Sequence, residues 1–289
     1  MKVSKFLDSG GWQNESLLAQ RILSLAILLQ GIGLFIIFFR MHHTHFGNYM
    51  FSALEIEDAK AVTIESITIS IYMGLCILNM LYRRVWILIP IIIYIFIEAW
   101  SGYSQGGYHF SELTLGAHAL RYFTPLALAI FVFPTVKIFK NINRITAAVW
   151  VLRIGIATVF ITHGIECLKQ NPIFIDLIIG GTNNILDFRP TEATAIQLMQ
   201  LIGWIDIMAA CLLLLKPLKG ILAWTFFWGF ITALSRMTSL GEGAYTEVLL
   251  RASHILAPVI LYILIYNPVW VKKLSHRFRL NRITSNSNL

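Results

Sequence analysis

Long apolar runs separated by short polar turns set the pattern of this chain. Eight such runs stand out, at about 21–39, 64–82, 85–100, 117–136, 146–166, 195–215, 221–236 and 250–267. Each comes close to the ~20 residues an α-helix needs to cross a bilayer, and flanking polar turns extend the shorter ones. The pattern predicts an all-α integral membrane protein with eight transmembrane helices.

The polar stretches between the runs are uneven in character. A loop of about 24 residues after the first run holds His42, His43, His45, Glu55, Glu57 and Asp58. The segment SGYSQGGYHFSELTLG precedes the fourth run, and TSLGEGAYTE precedes the eighth. A long loop at about 169–193, containing GGTNN and DFRP, is expected to re-enter the membrane in part. Arg83/Arg84, Lys137/Lys140/Arg144, Lys216/Lys219 and Lys272/Lys273 all fall on one side of the alternating topology. Cytoplasmic loops collect Lys and Arg. The expected arrangement therefore has both termini in the cytoplasm of a cell (inner) membrane, with residues 1–20 lying along its surface and 271–289 forming a basic tail. The first apolar run ends in FFR without a small-residue cleavage site, so it reads as an uncleaved anchor.

Two stripes of polar residues break the apolar pattern. Glu247, Arg251, His254 and Pro258 fall at i, i+4, i+7 and i+11, which puts them on one helical face. Thr114, His118, Arg121 and Pro125 repeat that spacing 133 residues earlier, with His and Arg exchanged. Other features repeat at a similar offset. Arg21-Ile22 and Arg153-Ile154 each open the first helix of a half, with Gly31 and Gly164 following. The expectation is two four-helix repeats, at 21–140 and 141–270. Four is an even number of spans, so the repeats are parallel rather than inverted.

Composition agrees with the pattern. The 289 residues are 57% hydrophobic and 13% charged, with mean hydropathy +0.69. Soluble domains are about one-quarter charged. The net charge of +8 is accounted for by the topological bias of the basic loops, which leaves no case for nucleic-acid binding. Cys76, Cys167 and Cys211 form no C-x-x-C pair and read as small apolar residues rather than a thiol relay.

Ionisable groups inside spans are costly and usually face a bundle interior or a wet cavity. Asp206, midway along the sixth run, is the deepest of them. With His163, Glu166, Arg236, Glu247, Arg251 and His254 it is expected to meet in an outward-facing cleft of the second half. Arg251 or Arg236 is the expected partner of Asp206. Such charges can instead lock helices together as buried pairs, or snorkel without a shared site. The first half has fewer of them, Glu98, His118 and Arg121, and an apolar residue near Ile71 stands where Asp206 would be. This asymmetry suggests one working half and one structural half. His42, His43 and His45 lie close in sequence, but the reading assigns no metal. Haem needs axial histidines on facing helices, for which His118, His163 and His254 have similar depth. The absence of C-x-x-C-H removes covalent c-type attachment.

Three segments of the second half resemble the DoxX-like family of four-span membrane proteins. RIGIATVFITHGIECL resembles its first span, LIGWIDIMAACLLLLKPLKG its second and RASHILAPVILYIL its last. The likeness covers about residues 146–266 and is faint in the first half, and Asp206 stands where the family usually has Glu. The family includes a small subunit of a thiosulfate:quinone oxidoreductase and members linked to thiol and oxidative stress. The resemblance implies an oxidoreductase subunit that handles quinone, or an electron-donating partner protein. Asp206, Arg251 and His254 would be its reactive residues, and His163, Glu166, Arg236 and Glu247 its ligand contacts. The alternative is a non-enzymatic transporter or scaffold for a small solute, a lipid or a membrane complex.

Overall fold

The computed structural model describes residues 12–106, 109–133 and 143–266. The basic turn at Lys137 and Lys140, the basic tail from Lys272 and most of the N-terminal segment lie outside the described residues. Apolar sequence becomes helix almost without interruption. The helices are α1 (Trp12–Met41), α2 (His45–Ser52), α3 (Asp58–Tyr82), α4 (Val85–Gln105), α5 (Thr114–Ala117), α6 (Ala119–Val132), α7 (Arg144–Leu168), α8 (Pro172–Leu186), α9 (Glu192–Leu215), α10 (Lys219–Leu240), α11 (Tyr245–Leu250) and α12 (Ala252–Tyr266). The described residues contain no strand.

Local signals set the boundaries. The side chains of Asn143, Asn171 and Thr191 accept hydrogen bonds from the backbone N–H groups of Ile145, Ile173 and Thr194, capping α7, α8 and α9. Pro172 opens α8 at a position where no amide proton is needed. Gly106 and Gly241 end α4 and α10 at φ +62 and +86, where side-chain-bearing residues are strained.

Six helical segments are long and apolar enough to cross a membrane, and α11 with α12 makes a seventh if that bent pair counts as one span. The exposed surface fits this reading. Leu201, Trp204, Met208, Leu212 and Leu215 line one face of α9, and Trp86, Ile89, Ile93 and Phe96 one face of α4, all exposed. Water would not tolerate continuous apolar stripes of this kind, but hydrocarbon does. The protein is thus an all-helical, multi-pass membrane protein. The run expected at 221–236 is the 22-residue helix α10, but α10 is not among the apolar spans. Thr225, Thr232, Ser235, Arg236, Thr238 and Ser239 dilute it.

Both polar stripes straddle a break instead of lying on one continuous helix. His118 separates α5 from α6 with φ −95 and ψ 5, and Arg251 separates α11 from α12 with φ −93 and ψ 9. At the second break the axis bends by 44°. Two loops read as irregular carry helices, α2 after the first run and α8 after the fifth. At 15 residues α8 is about 22 Å long, too short to cross the bilayer.

Helix α7 packs tightly on α9. A Cβ on Gly164 would come within 2.8 Å of the Gly203 carbonyl oxygen, and one on Gly203 within 2.8 Å of that of Gly164. The backbones therefore touch, as small residues permit in membrane bundles. Arg153, buried in α7, donates from Nε and Nη2 to the Leu213 carbonyl at 3.1 and 2.9 Å, and from Nη2 to that of Leu214 at 2.5 Å. These are last-turn carbonyls of α9 with no partner inside their own helix, so a residue read as the opening of a span caps its neighbour.

Candidate functional site

The tight α7–α9 pair forms one wall of a cavity of about 540 Å³, whose other walls come from α8, α10 and the Arg251–His254 segment. The volume lies in the usual range for small-molecule sites, about 300–1,000 Å³. Phe160, Phe174, Ile178, Met199 and Ile202 make the lining mainly apolar. Five of the seven residues singled out in the sequence line it: His163, Asp206, Arg236, Arg251 and His254. Glu166 and Glu247 do not, but each supports a residue that does. Glu166 Oε2 lies 2.7 Å from His163 Nδ1, and its Oε1 is 3.5 Å from the Asn171 amide nitrogen. Glu247 Oε2 accepts from Arg251 Nη1 at 2.5 Å, and the same nitrogen donates to the Glu247 carbonyl at 3.1 Å.

Asp206 therefore does not pair with Arg251 or Arg236 as expected. Its Oδ2 accepts from Trp228 Nε1 at 3.3 Å. Arg251 is drawn to Glu247 one turn away on its own segment, where i,i+4 spacing brings opposite charges together. The guanidinium of Arg236 lies 5.8 Å from the Phe174 ring, a cation–π arrangement. Three buried polar atoms of lining residues have no hydrogen-bond partner among the described residues: Asp206 Oδ1, His254 Nδ1 and Arg236 Nε. Asp206 is 4% exposed and His254 8%. Buried polar atoms are nearly always satisfied, so such a group facing a cavity marks the place of a missing partner.

The first stripe is not remote from this site. Arg121, buried in α6, lies within electrostatic range of Arg251 and Glu247, and His118 within range of Arg251 and His163. The His118 ring is 5.9 Å from that of His45. Gln30 in α1 joins the two stripes by donating to the Arg121 carbonyl at 3.4 Å and accepting from Ser253 Oγ at 3.3 Å. The first-half residues thus adjoin the cluster that was expected to belong to the second half alone.

A second polar centre was only half legible in the sequence, which singled out Glu98 but not Glu65. Glu65 and Glu98, 0% and 1% exposed, converge on the start of α2. Glu98 accepts from the backbone N–H groups of His45 at 3.1 Å and Phe46 at 2.9 Å, and Glu65 from that of Thr44 at 2.9 Å. The Thr44 hydroxyl lies within hydrogen-bond distance of both carboxylates. Carboxylates here answer the unpaired amides and positive dipole end of α2. The sequence offered one usable signal for Glu65, an acid inside an otherwise apolar span. His43 bridges Glu65 at 3.3 Å and the exposed Asp58 at 2.8 Å. Burial pulls the His43 pKa down, but these hydrogen bonds outweigh it and raise the pKa above the ordinary histidine value. His42, His43 and His45 therefore diverge, with His42 exposed, and among the described residues no group of three or more His, Cys, Asp or Glu is arranged to hold a metal ion. Cys76 and Cys167 are buried and Cys211 is exposed, all as free thiols.

No family model, no curated protein and no solved structure matches this chain.

Proposed function

We propose that this protein is an eight-span membrane protein of two parallel four-helix repeats, DoxX-like in its second half, whose cavity binds a lipid-soluble quinone. The observation that carries the reading is the meeting of His163, Asp206, Arg236, Arg251 and His254 on one mainly apolar cavity. An apolar body fits such walls, and the arginines and histidines offer donors to its head group. Among the described residues the chain holds no metal cluster or close cysteine pair. Its part in redox chemistry is accordingly that of a quinone-handling subunit, with a partner protein supplying electrons.

The up-and-down order of the spans is supported by which helix ends meet. Arg40 donates to the Gly243 carbonyl at 2.6 Å, and Lys169 pairs with Glu112 at 3.0 Å, joining segments on the expected outer side. Tyr266 donates to the Pro217 carbonyl at 2.7 Å, joining two on the expected cytoplasmic side. The paired breaks at His118 and Arg251, 133 residues apart, support the repeat. Reporters fused after Lys140, after Lys219 and at the C-terminus should signal cytoplasm, and those near His109 and Gly243 the outside.

The test is purification in mild detergent, extraction of what co-purifies, and calorimetric titration with a short-tailed benzoquinone. Stoichiometric quinone, or saturable binding that Arg236→Ala weakens, supports the reading. A different lipid filling the cavity, with no quinone binding, would favour the transporter or scaffold alternative. That alternative draws on the exposure of Ile185, Leu186 and Leu198 along the lining, which leaves the cavity open toward hydrocarbon.

A further inference from the structure

The cavity has two polar zones, and they differ in what they leave unsatisfied. Arg251 is already held by Glu247. Asp206 and His254 instead each present a bare polar atom, and both side chains are more than nine-tenths buried. They also sit at the same level of α10. Trp228 donates to Asp206, and a Cβ on the adjacent Gly229 would come within 2.7 Å of the His254 carbonyl oxygen. Arg236 lies eight residues further along α10, about 12 Å away at 1.5 Å per residue.

Asp206 dictates the chemistry of the deeper zone. A hydroxyl both donates and accepts, so it satisfies the free oxygen of Asp206 whether or not that carboxyl carries a proton, and Trp228 occupies just one of the two oxygens. A carbonyl-bearing head only accepts, so it is matched where Asp206 is protonated and meets acceptor with acceptor where Asp206 is ionised. A hydroxyl-bearing head would donate to Asp206 Oδ1 and leave its oxygen, or a second hydroxyl, for His254 Nδ1. Phe160, Phe174, His163 and Trp228 give the cavity aromatic walls suited to a flat ring. The way in is from the bilayer: lining residues Ile185, Leu186, Leu198 and Ile231 are exposed, where the short α8 fails to close the space between α9 and α10.

We infer that the cavity is selective for the reduced, dihydroxy form of a quinone-class amphiphile, taken sideways from the membrane and held by its hydroxyls between Asp206 and His254. This rests on the quinone reading above and adds a redox-state preference to it. Leaving a buried acceptor unpaired weakens binding by about 5- to 150-fold, so with Asp206 ionised the preference is of that order.

The test titrates the full-length protein in detergent under anaerobic conditions with three probes. They are a benzoquinone with a short alkyl tail, its dihydroxy form, and the dimethyl ether of that form, which keeps the shape but has no donor. At alkaline pH, where Asp206 is ionised, the dihydroxy form should bind about tenfold tighter than either of the others. In Asp206→Asn, whose amide both donates and accepts, the difference should shrink to within about threefold. Equal wild-type affinity for dihydroxy and ether forms overturns the inference and leaves the quinone reading standing. So does a preference that Asp206→Asn leaves intact. Failure of all three probes to bind overturns the quinone reading itself. The wild-type comparison decides the matter even if Asp206→Asn does not fold.

Discussion

The α7–α9 crossing makes the sharpest stability prediction, through Gly203→Ala. The new Cβ would lie 2.8 Å from the Gly164 carbonyl oxygen and 2.9 Å from Cys167 Cβ. Ordinary C···O contacts begin near 3.3 Å and C···C contacts near 3.5 Å, so the helices must part by about half an ångström. Neither obstacle can rotate away, because one is backbone and the other is bonded directly to it. Overpacking of this kind costs about 1–3 kcal/mol, and the helix propensity of Ala returns about 0.5–1 kcal/mol of it. The net loss of about 1–2 kcal/mol should lower Tm by about 2–8 °C. Thermal unfolding of the purified protein in detergent, followed by circular dichroism, reads this directly. Gly74→Ala is the control, since a Cβ there has nothing within 4 Å and should leave Tm unchanged or raise it. If the two variants melt alike, the helices are not in backbone contact and the account of this wall of the cavity fails.

Other consequences follow from the polar centres. Glu98→Ala should strip the His45 and Phe46 amides of their acceptor at about 1–3 kcal/mol each, so that the protein no longer accumulates in membranes, whereas Glu98→Gln keeps one acceptor oxygen and should be milder by immunoblot. The raised pKa of His43 means that its bonds to Asp58 and Glu65 stabilise the fold fully below about pH 6.5 and lose that contribution as pH rises through the raised value. His43→Ala should therefore lower Tm more at about pH 6 than at about pH 9. Arg251→Ala should destabilise by stranding Glu247, though the 35% exposure of that carboxylate keeps the loss below the ~3–5 kcal/mol of a fully buried pair. Adding Glu247→Gln should restore part of the lost Tm, and a double variant no more stable than the single would show that the pair contributes nothing.

Long apolar runs were legible because helix in a bilayer needs only continuous hydrophobicity, and the described part of each expected run is mostly helix. The identity of the cavity residues was legible for a related reason: His163, Asp206, Arg236, Arg251 and His254 stand out as polar groups where polarity is costly. Their partners were not legible. Pairing Asp206 with an arginine was a guess from charge, while its actual donor, Trp228, belongs to another helix and carries no charge. Glu65 was missed because its reason for being buried lies in the amides of α2, within a stretch that reads as loop. The breaks at His118 and Arg251 carry no glycine or proline at the site, so spacing alone suggested an unbroken face.

Helix α10 has a consequence for how the protein is made. Its hydroxyls turn back on their own helix, Thr225 to Leu222, Thr232 to Trp228, Ser235 to Thr232 and Thr238 to Ser235, each at 2.9–3.1 Å. That lowers the cost of burying them in lipid, but it leaves Arg236 unanswered. A helix of this composition gains little by leaving the translocation channel alone. Its natural companions are α9, made just before it, and α12, made just after, which packs against Gly229. Helices α9, α10 and α12 are then best released as a group, with α10 kept beside the channel until the last of them is synthesised. The cavity would form late, as the final step of insertion.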